Sequence, residues 1–598
     1  MQYRLYDNSN NNTCENIMYN VLKNRNIRDC NRYLNLSERD EIPYTNLKNI
    51  QEAVNLFMYH FNNKSQIAVL VDEDIDGFCS AAMMYSYIKK LDCDYPVEYI
   101  MHNRTKAHGL SDDVVINKDI KFLIVPDAGT NDVEECKRLS NDCNVDVLIL
   151  DHHQQEVDNS YAVIVNNQIS DKYENKNLCG TGIVYKFLKA LDEETWNEYA
   201  DNYLDLCSFA NISDVMDMRS YETRYLTDLG LKNIHNKLLQ ALINAQEYSM
   251  NGTISIHNVQ WYLTPIGNAL IRIGSHEEKE LLFKAFIEQD EYFEYKKRAT
   301  KNNPAQVIQE SIYDRAARLC KNAKSRQDKM RNKGFDEVVA LAELQDSNDK
   351  VVMVDVTDNL HDGLTGVVAI KVAEYFNKPA ILLKQHINDC GEQVYGGSAR
   401  NIDYSPITDF KTVVNSTNIM LGQGHDNAFG IVNLPVDEKQ HALDRLNDIL
   451  KDVEYDSTYL VDYILDIDEV DVDLVTQLSV FDNLICQGIE EPMIAVENIK
   501  LSRNEFEVFG KNEDTISFIY NNVKYVQFRC KEGNPLYDFI QNAWDDHDAI
   551  EFTIVGKPGI NEYQGIKTPQ IIIENNDIVK LYENDIIKTD NDEDEDVW

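Results

Sequence analysis

The chain has 598 residues, with 58 Lys and Arg against 101 Asp and Glu, a formal net charge of −43. That length excludes a single small binding module, and so acidic a surface excludes indiscriminate coating of nucleic acid unless positive charge is gathered into one groove. At 43% hydrophobic and 27% charged the composition is that of a globular protein, and apolar stretches such as Ile67–Val71 are far too short to span a bilayer. The opening Met1-Gln2-Tyr3-Arg4-Leu5-Tyr6-Asp7 leads into an Asn-rich run without the apolar core of a secretory signal, so a cytoplasmic location is expected, with no membrane association. The 12 cysteines contain no C-x-x-C pair and read as reduced structural thiols; Cys79, beside the first acidic motif, reads as a buried thiol rather than a nucleophile.

From Glu15 to Phe61 the pattern reads as several helices, the body of an N-terminal helical segment over 1–63. Between Gln66 and Leu150 short β-branched runs alternate with amphipathic stretches, as in parallel βαβ units. The spacing predicts strands at Gln66–Val71, Val97–Met101, Phe122–Val125, Val145–Leu150 and Ala162–Val165, with a helix over Ser80–Lys90, in a domain spanning 64–224. Residues 225–337 read as a helical connector, basic from Glu291 to Lys333, with Pro304 near a helix start. A second α/β block over 338–455 has strands at Val351–Val354 and Ala380–Leu383 around an apolar helix, Gly366–Tyr375. Over 456–588, short strands rich in Val, Ile, Tyr and Phe alternate with turn residues, as in a small β-barrel or sandwich, and the acidic tail 589–598 is expected to be disordered. The expected fold class is multidomain α/β: a parallel-sheet domain, a helical linker, a second α/β domain and a C-terminal β-barrel.

The first predicted strand ends in Val71-Asp72-Glu73-Asp74-Ile75-Asp76-Gly77, the third in Pro126-Asp127-Ala128-Gly129 and the fourth in Asp151-His152-His153. Acids and imidazoles therefore gather at the C-terminal ends of neighbouring strands, where open α/β sheets bind ligands. Asp214 lies in the apolar Phe209-Ala210-Asn211-Ile212-Ser213-Asp214-Val215, where an unpaired carboxylate is costly. Any one of these acids is explained as a helix cap. The set as a whole fits hard oxygen ligands with one or two imidazoles around Mn²⁺ or Mg²⁺, with two ions about 3.5–4 Å apart activating water for phosphoester hydrolysis.

Asp74-Ile75-Asp76-Gly77, Asp127, Asp151-His152-His153 and Asp214, in this order, resemble the four motifs of the DHH phosphoesterase superfamily. The resemblance implies that Asp74, Asp76, Asp127, His152 and Asp214 are metal ligands, that Asp151 supports the site, and that His153 stands near the scissile phosphate. Asp72 also matches. The superfamily's pyrophosphatases have a histidine four residues before Asp74; this chain has Leu70 there, which speaks against inorganic pyrophosphate as substrate.

Nearly the whole chain is similar to the RecJ family of single-strand-specific 5′→3′ exonucleases. Leu178-Cys179-Gly180-Thr181-Gly182 is similar to a helix-start motif of that family, and Pro265-Ile266-Gly267-Asn268-Ala269-Leu270-Ile271-Arg272 to another element, with Ile266 and Ile271 replacing its Arg and Gly. His361-Asp362-Gly363-Leu364-Thr365-Gly366, Gly397-Ser398-Ala399-Arg400 and Gly422-Gln423-Gly424-His425 resemble signatures of the DHH-associated domain, and Phe481–Ala495 with Asn561–Gly565 resemble the family's OB-fold region. The resemblance implies that Ser398 and Arg400 anchor the terminal phosphate, with Arg104, Arg272, Asn268, His361 and His425 as further substrate contacts. Tyr520, Tyr525, Phe528 and Tyr563 are candidates for base stacking, against the commoner role of an aromatic in the core of a small barrel. The basic residues Lys296, Lys297, Arg298, Lys301, Arg315, Arg318, Lys324, Arg326, Lys329, Arg331 and Lys333 line a channel in one reading and a solvated helix face in the other.

The expected function is a metal-dependent exonuclease that threads single-stranded DNA in recombination, repair or replication, acting as a monomer. Its possible partners are a single-strand binding protein or other replication and repair proteins. The alternatives are a phosphodiesterase for short oligonucleotides or cyclic dinucleotides, and a non-catalytic replication scaffold. The tail Thr589–Trp598 reads as solubilising, with a DNA-mimic role over the basic channel as the alternative.

Overall fold

The computed structural model describes residues 1–6, 17–102, 109–111, 114, 116–297, 304–388, 391–402, 405–455, 458–479, 481, 484–510, 513–541, 547–563 and 566–583. They fall into two units, one formed by Met1–Asn35 with Asp456–Trp598 and the other by Leu36–Tyr455. The helical segment expected over 1–63 is thus divided. Strand β1 (Gln2–Leu5) and the helix Ile17–Asn24 belong to the first unit and the helix Ile50–Asn62 to the second.

In the larger unit, β2 (Gln66–Val71), β3 (Val97–Met101), β4 (Ile120–Pro126), β5 (Asp146–Asp151) and β6 (Val163–Asn166) form one parallel sheet in the order β3-β2-β4-β5-β6. Their near-continuous Ile, Val and Leu runs suit strands covered on both faces. Ala68, Leu70, Leu123, Val125, Val147 and Ile149 pack into one core cluster. Chain order reverses between β2 and β4, which neighbour each other while β3 lies on the far side of β2. Such a switch point leaves a crevice beyond the carboxyl ends of the strands, and the motifs of β2 and β4 both open there.

The connector holds a departure from the helical reading. Residues Tyr292–Lys297 (β7) and Gln306–Ser311 (β8) form an antiparallel hairpin, and Pro304 precedes β8 rather than a helix. The helix Ile312–Ala342 starts after it, capped by Ser311. Arg315 stacks over Phe293 at 4.2 Å and Arg318 over Tyr295 at 4.1 Å, while Arg318 also pairs with Glu310 at 2.7 Å. Aromatic faces of the hairpin thus lie against guanidinium planes of the helix. Further along, Arg326 pairs with Glu278, and Lys324 and Arg331 with Asp328. These cations are engaged within the protein. Arg298 and Lys301 lie outside the described residues.

The second α/β block is a mixed sheet of β9 (Val352–Asp355), β10 (Ala380–Ile387), β11 (Gln393–Arg400), β12 (Leu421–His425) and β13 (Ala428–Pro435), in the order β12-β13-β11-β10-β9. Only β9 and β10 run parallel; β11, β12 and β13 pair antiparallel. The apolar helix predicted over Gly366–Tyr375 spans Thr365–Phe376.

The smaller unit pairs β1 with β14 (Thr458–Val461) in parallel. Its main sheet has seven strands: β15 (Tyr463–Asp466), β16 (Ile494–Ser502), β17 (Glu507–Phe509), β18 (Thr515–Tyr520), β19 (Val523–Gln527), β20 (His547–Tyr563) and β21 (Ile566–Glu583). β20 and β21 form a hairpin of 17- and 18-residue strands, longer than the short strands expected. Of the stacking candidates, Tyr525 is fully buried and stacks on Phe518 at 4.5 Å; it belongs to the core. The Tyr520 hydroxyl donates to Asp468 at 2.6 Å, and Phe528 is exposed. The side chain of Tyr563 and the tail 589–598 lie outside the described residues.

This unit is closed by an ion pair between the two ends of the chain. Arg25 donates from Nη1 and Nη2 to the two Asp462 oxygens at 2.8 and 3.0 Å, with side chains 2% and 0% exposed. The Asn24 amide and the Met493 N–H also donate to Asp462, at 2.8 and 3.0 Å. Removing one partner of such a pair leaves an uncompensated buried charge, worth about 3–5 kcal/mol. Asp462→Ala is therefore expected to speed amide hydrogen exchange in β14 and β16 by several orders of magnitude while β2, β4 and β5 keep their protection. Unchanged protection in β14 and β16 would contradict this account.

Candidate metal centre and phosphate cradle

After β2 the chain turns at once into the helix Ile75–Leu91, capped by Asp74, which accepts the Gly77 amide at 2.8 Å. Only glycine fits at Gly77, where a Cβ would stand 2.5 Å from the Asp72 Cβ. Asp76 is buried and accepts from the amino end of the helix Gly180–Thr195: from the Gly180 and Thr181 amides at 2.7 and 2.8 Å and from the Thr181 hydroxyl at 2.5 Å. These bonds seat it at the positive end of the helix dipole. Asp127, just past β4, has φ 63°, a left-handed conformation that is costly for a side-chain-bearing residue and concentrates at functional sites. It packs so closely on Gly180 that a Cβ there would lie 2.4 Å from its Oδ1.

β5 brings the third motif. Asp151 is buried; its Oδ1 accepts from the His152 and His153 amides at 2.7 and 3.2 Å and meets the His153 Nδ1 at 2.8 Å, and its Oδ2 accepts from the Thr130 amide at 3.1 Å. Asp151 thereby orients the His153 ring and ties its own loop to the one after β4. His152 turns the other way, with Nε2 3.3 Å from Asp127 Oδ1, 3.4 Å from Asp214 Oδ2 and 3.8 Å from Asp76 Oδ2. Asp214 arrives from the C-terminal end of the helix Leu204–Ser213.

Three overlapping sets, Asp127 with His152 and His153, Asp76 with His152 and Asp214, and Asp72 with Asp74 and Asp127, each bring their ligand atoms within 4.8 Å of one another. Among the described residues, Asp127 Oδ1 and His152 Nε2 are buried without a hydrogen-bond partner. Buried polar atoms are otherwise satisfied almost everywhere in folded proteins. Two orphaned ligand atoms facing each other amid carboxylates fit hard divalent cations bound by oxygen with a minority of imidazole.

The electrostatics agree. Burial, reinforced by the charges of Asp76, Asp74, Asp214 and Asp72, pushes the Asp127 carboxyl well above the usual range. Burial and the neighbouring His153 lower His152 to about 4, so its ring is neutral and able to ligate at neutral pH. Burial alone would raise Asp151, but the two histidines and the Thr130 bond hold it well below the ordinary carboxylate range.

The second α/β block contributes an anion cradle. Ser398 and Arg400 lie on β11, and the Ser398 hydroxyl meets that of Thr365, at the start of the helix Thr365–Phe376, at 3.0 Å. A Cβ on Gly366 would come 2.6 Å from an Arg400 guanidinium nitrogen, and one on Gly363 2.6 Å from the Arg272 carbonyl oxygen. Both glycines therefore allow close approach. Burial and the Arg272 charge lower Arg400 to about 10, and the crowded cleft lowers Arg272, offset by the attraction of Asp74. Two guanidiniums here suit recognition of an anion. His425 is lowered by its enclosing surroundings and by the charge of His153, which places the end of β12 beside the third motif. Asn268 donates to the Ser213 hydroxyl at 3.3 Å, next to Asp214. His361 is exposed and caps the turn Asp362–Leu364 through its own ring nitrogen, which accepts from Gly363 at 3.1 Å. Arg104 lies outside the described residues.

Sequence reasoning passed over His102. It is buried just beyond β3, with Nε2 3.9 Å from Asp72 Oδ1, and its place after a strand is the same positional signal that picked out Asp127. Thr181 and Thr365 stand in motifs that the sequence singles out, but their partners, Asp76 and Ser398, are set by tertiary packing.

The chain matches the DHH family, N-terminal domain, over residues 66–210 and the RecJ OB domain over 461–575. It is 32% identical over 595 residues to the SPbeta prophage-derived YorK of Bacillus subtilis (strain 168), named provisionally as a single-strand DNA-specific exonuclease, covering 98% of this chain and 100% of that protein. The chain belongs to the RecJ-like family of DHH proteins. To the single-stranded-DNA-specific exonuclease RecJ of Bacillus subtilis it is 24% identical over 557 residues, 91% of this chain and 65% of that one. The fold is shared with crystal structures of RecJ from Thermus thermophilus. The complex with Mn²⁺ has a TM-score of 0.66 at 18% identity, covering 89% of this chain and 72% of that one. The complex with Mg²⁺ has a TM-score of 0.64 at 16% identity, covering 96% and 77%.

Because burial and the neighbouring acids push the Asp127 carboxyl upward, binding a cation there is expected to be coupled to proton release, so that Mn²⁺ affinity rises as the pH rises. Titration calorimetry in buffers of differing ionisation enthalpy measures this directly; heats that do not vary with the buffer would contradict it. Gly180→Ala, which forces a Cβ against Asp127, is expected to weaken Mn²⁺ binding by roughly 10–100-fold, as loss of an outer supporting contact does.

Proposed function

We propose that this protein is a metal-dependent exonuclease that degrades single-stranded DNA from its 5′ end by hydrolysing phosphodiester bonds. The observation that carries the reading is the meeting of His152 Nε2 with Asp76, Asp127 and Asp214 at 3.3–3.8 Å. Membership in a family whose curated members bear the name single-strand DNA-specific exonuclease supports the substrate. In this reading Asp74, Asp76, Asp127, His152 and Asp214 hold two divalent cations, Mn²⁺ or Mg²⁺. Bound there, the cations supply a water nucleophile at neutral pH and charge for the phosphoryl oxygens.

The protein's own residues do the rest. Arg400 and Arg272, with the Ser398 and Thr365 hydroxyls, bind the terminal phosphate and fix the strand's register. His153, held by Asp151 through Nδ1, presents its other ring edge toward the scissile phosphate. Asn268 steadies the segment that carries Asp214. The RecJ OB domain at 461–575 supports a polymeric strand, since such folds bind single strands.

Long single-stranded DNA labelled separately at its 5′ and 3′ ends, digested with Mn²⁺, tests the proposal: mononucleotides are expected to appear from the 5′ end first. Asp127→Ala and His152→Ala are each expected to lose more than the roughly 10–100-fold that removal of an outer partner costs; activity surviving both would refute the centre. Arg400→Ala is expected to raise KM for a 5′-phosphorylated strand roughly 10–100-fold, as loss of charge-assisted hydrogen bonds does, with little change for a 5′-hydroxyl strand.

A further inference from the structure

The helix that carries Asn268 and Arg272 buries six of its ten residues. Over Thr264–Ile273 only Pro265, Asn268, Arg272 and the terminal Ile273 escape full burial, and the first three lie three and four residues apart, a single stripe along the helix. One turn before Pro265 the stripe continues to Trp261, whose side chain is 61% exposed. Trp261 sits in a π-helical turn, Val259–Leu263, that runs unbroken into the helix. Such turns are rare and recur at functional sites. The ring is steadied from one side by His257, centroids 6.2 Å apart, and faces water otherwise. An indole so open forgoes the burial that ordinarily stabilises Trp.

We propose that Trp261 is a stacking platform for a nucleobase of the bound strand, on the same helix stripe as the phosphate-binding end. At about 1.5 Å rise per residue, Trp261 stands roughly 10 Å along the helix from Asn268, within reach of a strand whose end is held at Arg272 and Arg400. The stripe then reads as a ladder of chemistries suited to one ligand: guanidinium for phosphate, amide beside the metal centre, indole for a base. Base–aromatic stacking is indifferent to sequence because every base has a π-face, as an enzyme that consumes any strand requires. This inference rests on the exonuclease reading above.

The test compares Trp261→Ala and Trp261→Phe with the wild type on an oligothymidylate of about 20 nucleotides and on a set of the same oligomer carrying one abasic position moved along the strand. Trp261→Ala is expected to raise KM about 5–150-fold with kcat within about twofold, and Trp261→Phe to stay near wild type. One abasic position is expected to weaken the wild type and leave Trp261→Ala unaffected, which a merely structural role would not produce. Wild-type KM in Trp261→Ala, or equal sensitivity of both proteins to every abasic position, overturns the platform while digestion by the wild type leaves the exonuclease reading standing. A wild type that leaves the oligomer intact overturns both.

Discussion

Five carboxylates, Asp72, Asp74, Asp76, Asp127 and Asp214, are drawn together around one neutral imidazole, and almost everything in the larger unit serves to hold them there against their mutual repulsion. The means are local and physical. Gly77 and Gly180 remove the side chains that would keep the acids apart, the amino end of the helix Gly180–Thr195 stabilises Asp76, and Asp127 accepts a left-handed backbone to face His152. A constellation of so many like charges favours cations within it.

The complementary sign comes from Arg400 of the second α/β block and Arg272 of the connector, the charge of Arg272 and burial together lowering Arg400. In the proposed reading a phosphodiester is matched by guanidinium on one side and by metal on the other, and in a chain of net charge −43 attraction for DNA is thereby confined to one place.

Much of this was legible in the amino-acid order because it obeys a positional rule. Acids after β2 and β4 and histidines after β5 mark strand ends whatever the tertiary detail, and all three motifs meet at the switch point of the sheet. The rest depends on contacts between distant residues. The hairpin β7–β8 was read as helical because Lys and Arg suit a helix surface and Pro304 suits a helix start; what decides for strands is the stacking of Phe293 and Tyr295 under Arg315 and Arg318, invisible in a local window. Tyr525 looked like a platform from its surroundings in sequence but lies against Phe518 in the core, because strand alternation alone does not say which face is inward. His102 needed no tertiary knowledge, only consistent use of the strand-end rule.

β1 pairs with β14 across 456 positions of chain, Gln2 opposite Thr458. On a ribosome adding about 5–20 residues per second, the first strand waits roughly 20–90 seconds for its partner to be synthesised. During that interval the strands of the parallel sheet, the last of them ending at Asn166, have long been made and can pair with one another. In order of synthesis, the pairing of β1 with β14 therefore follows that sheet.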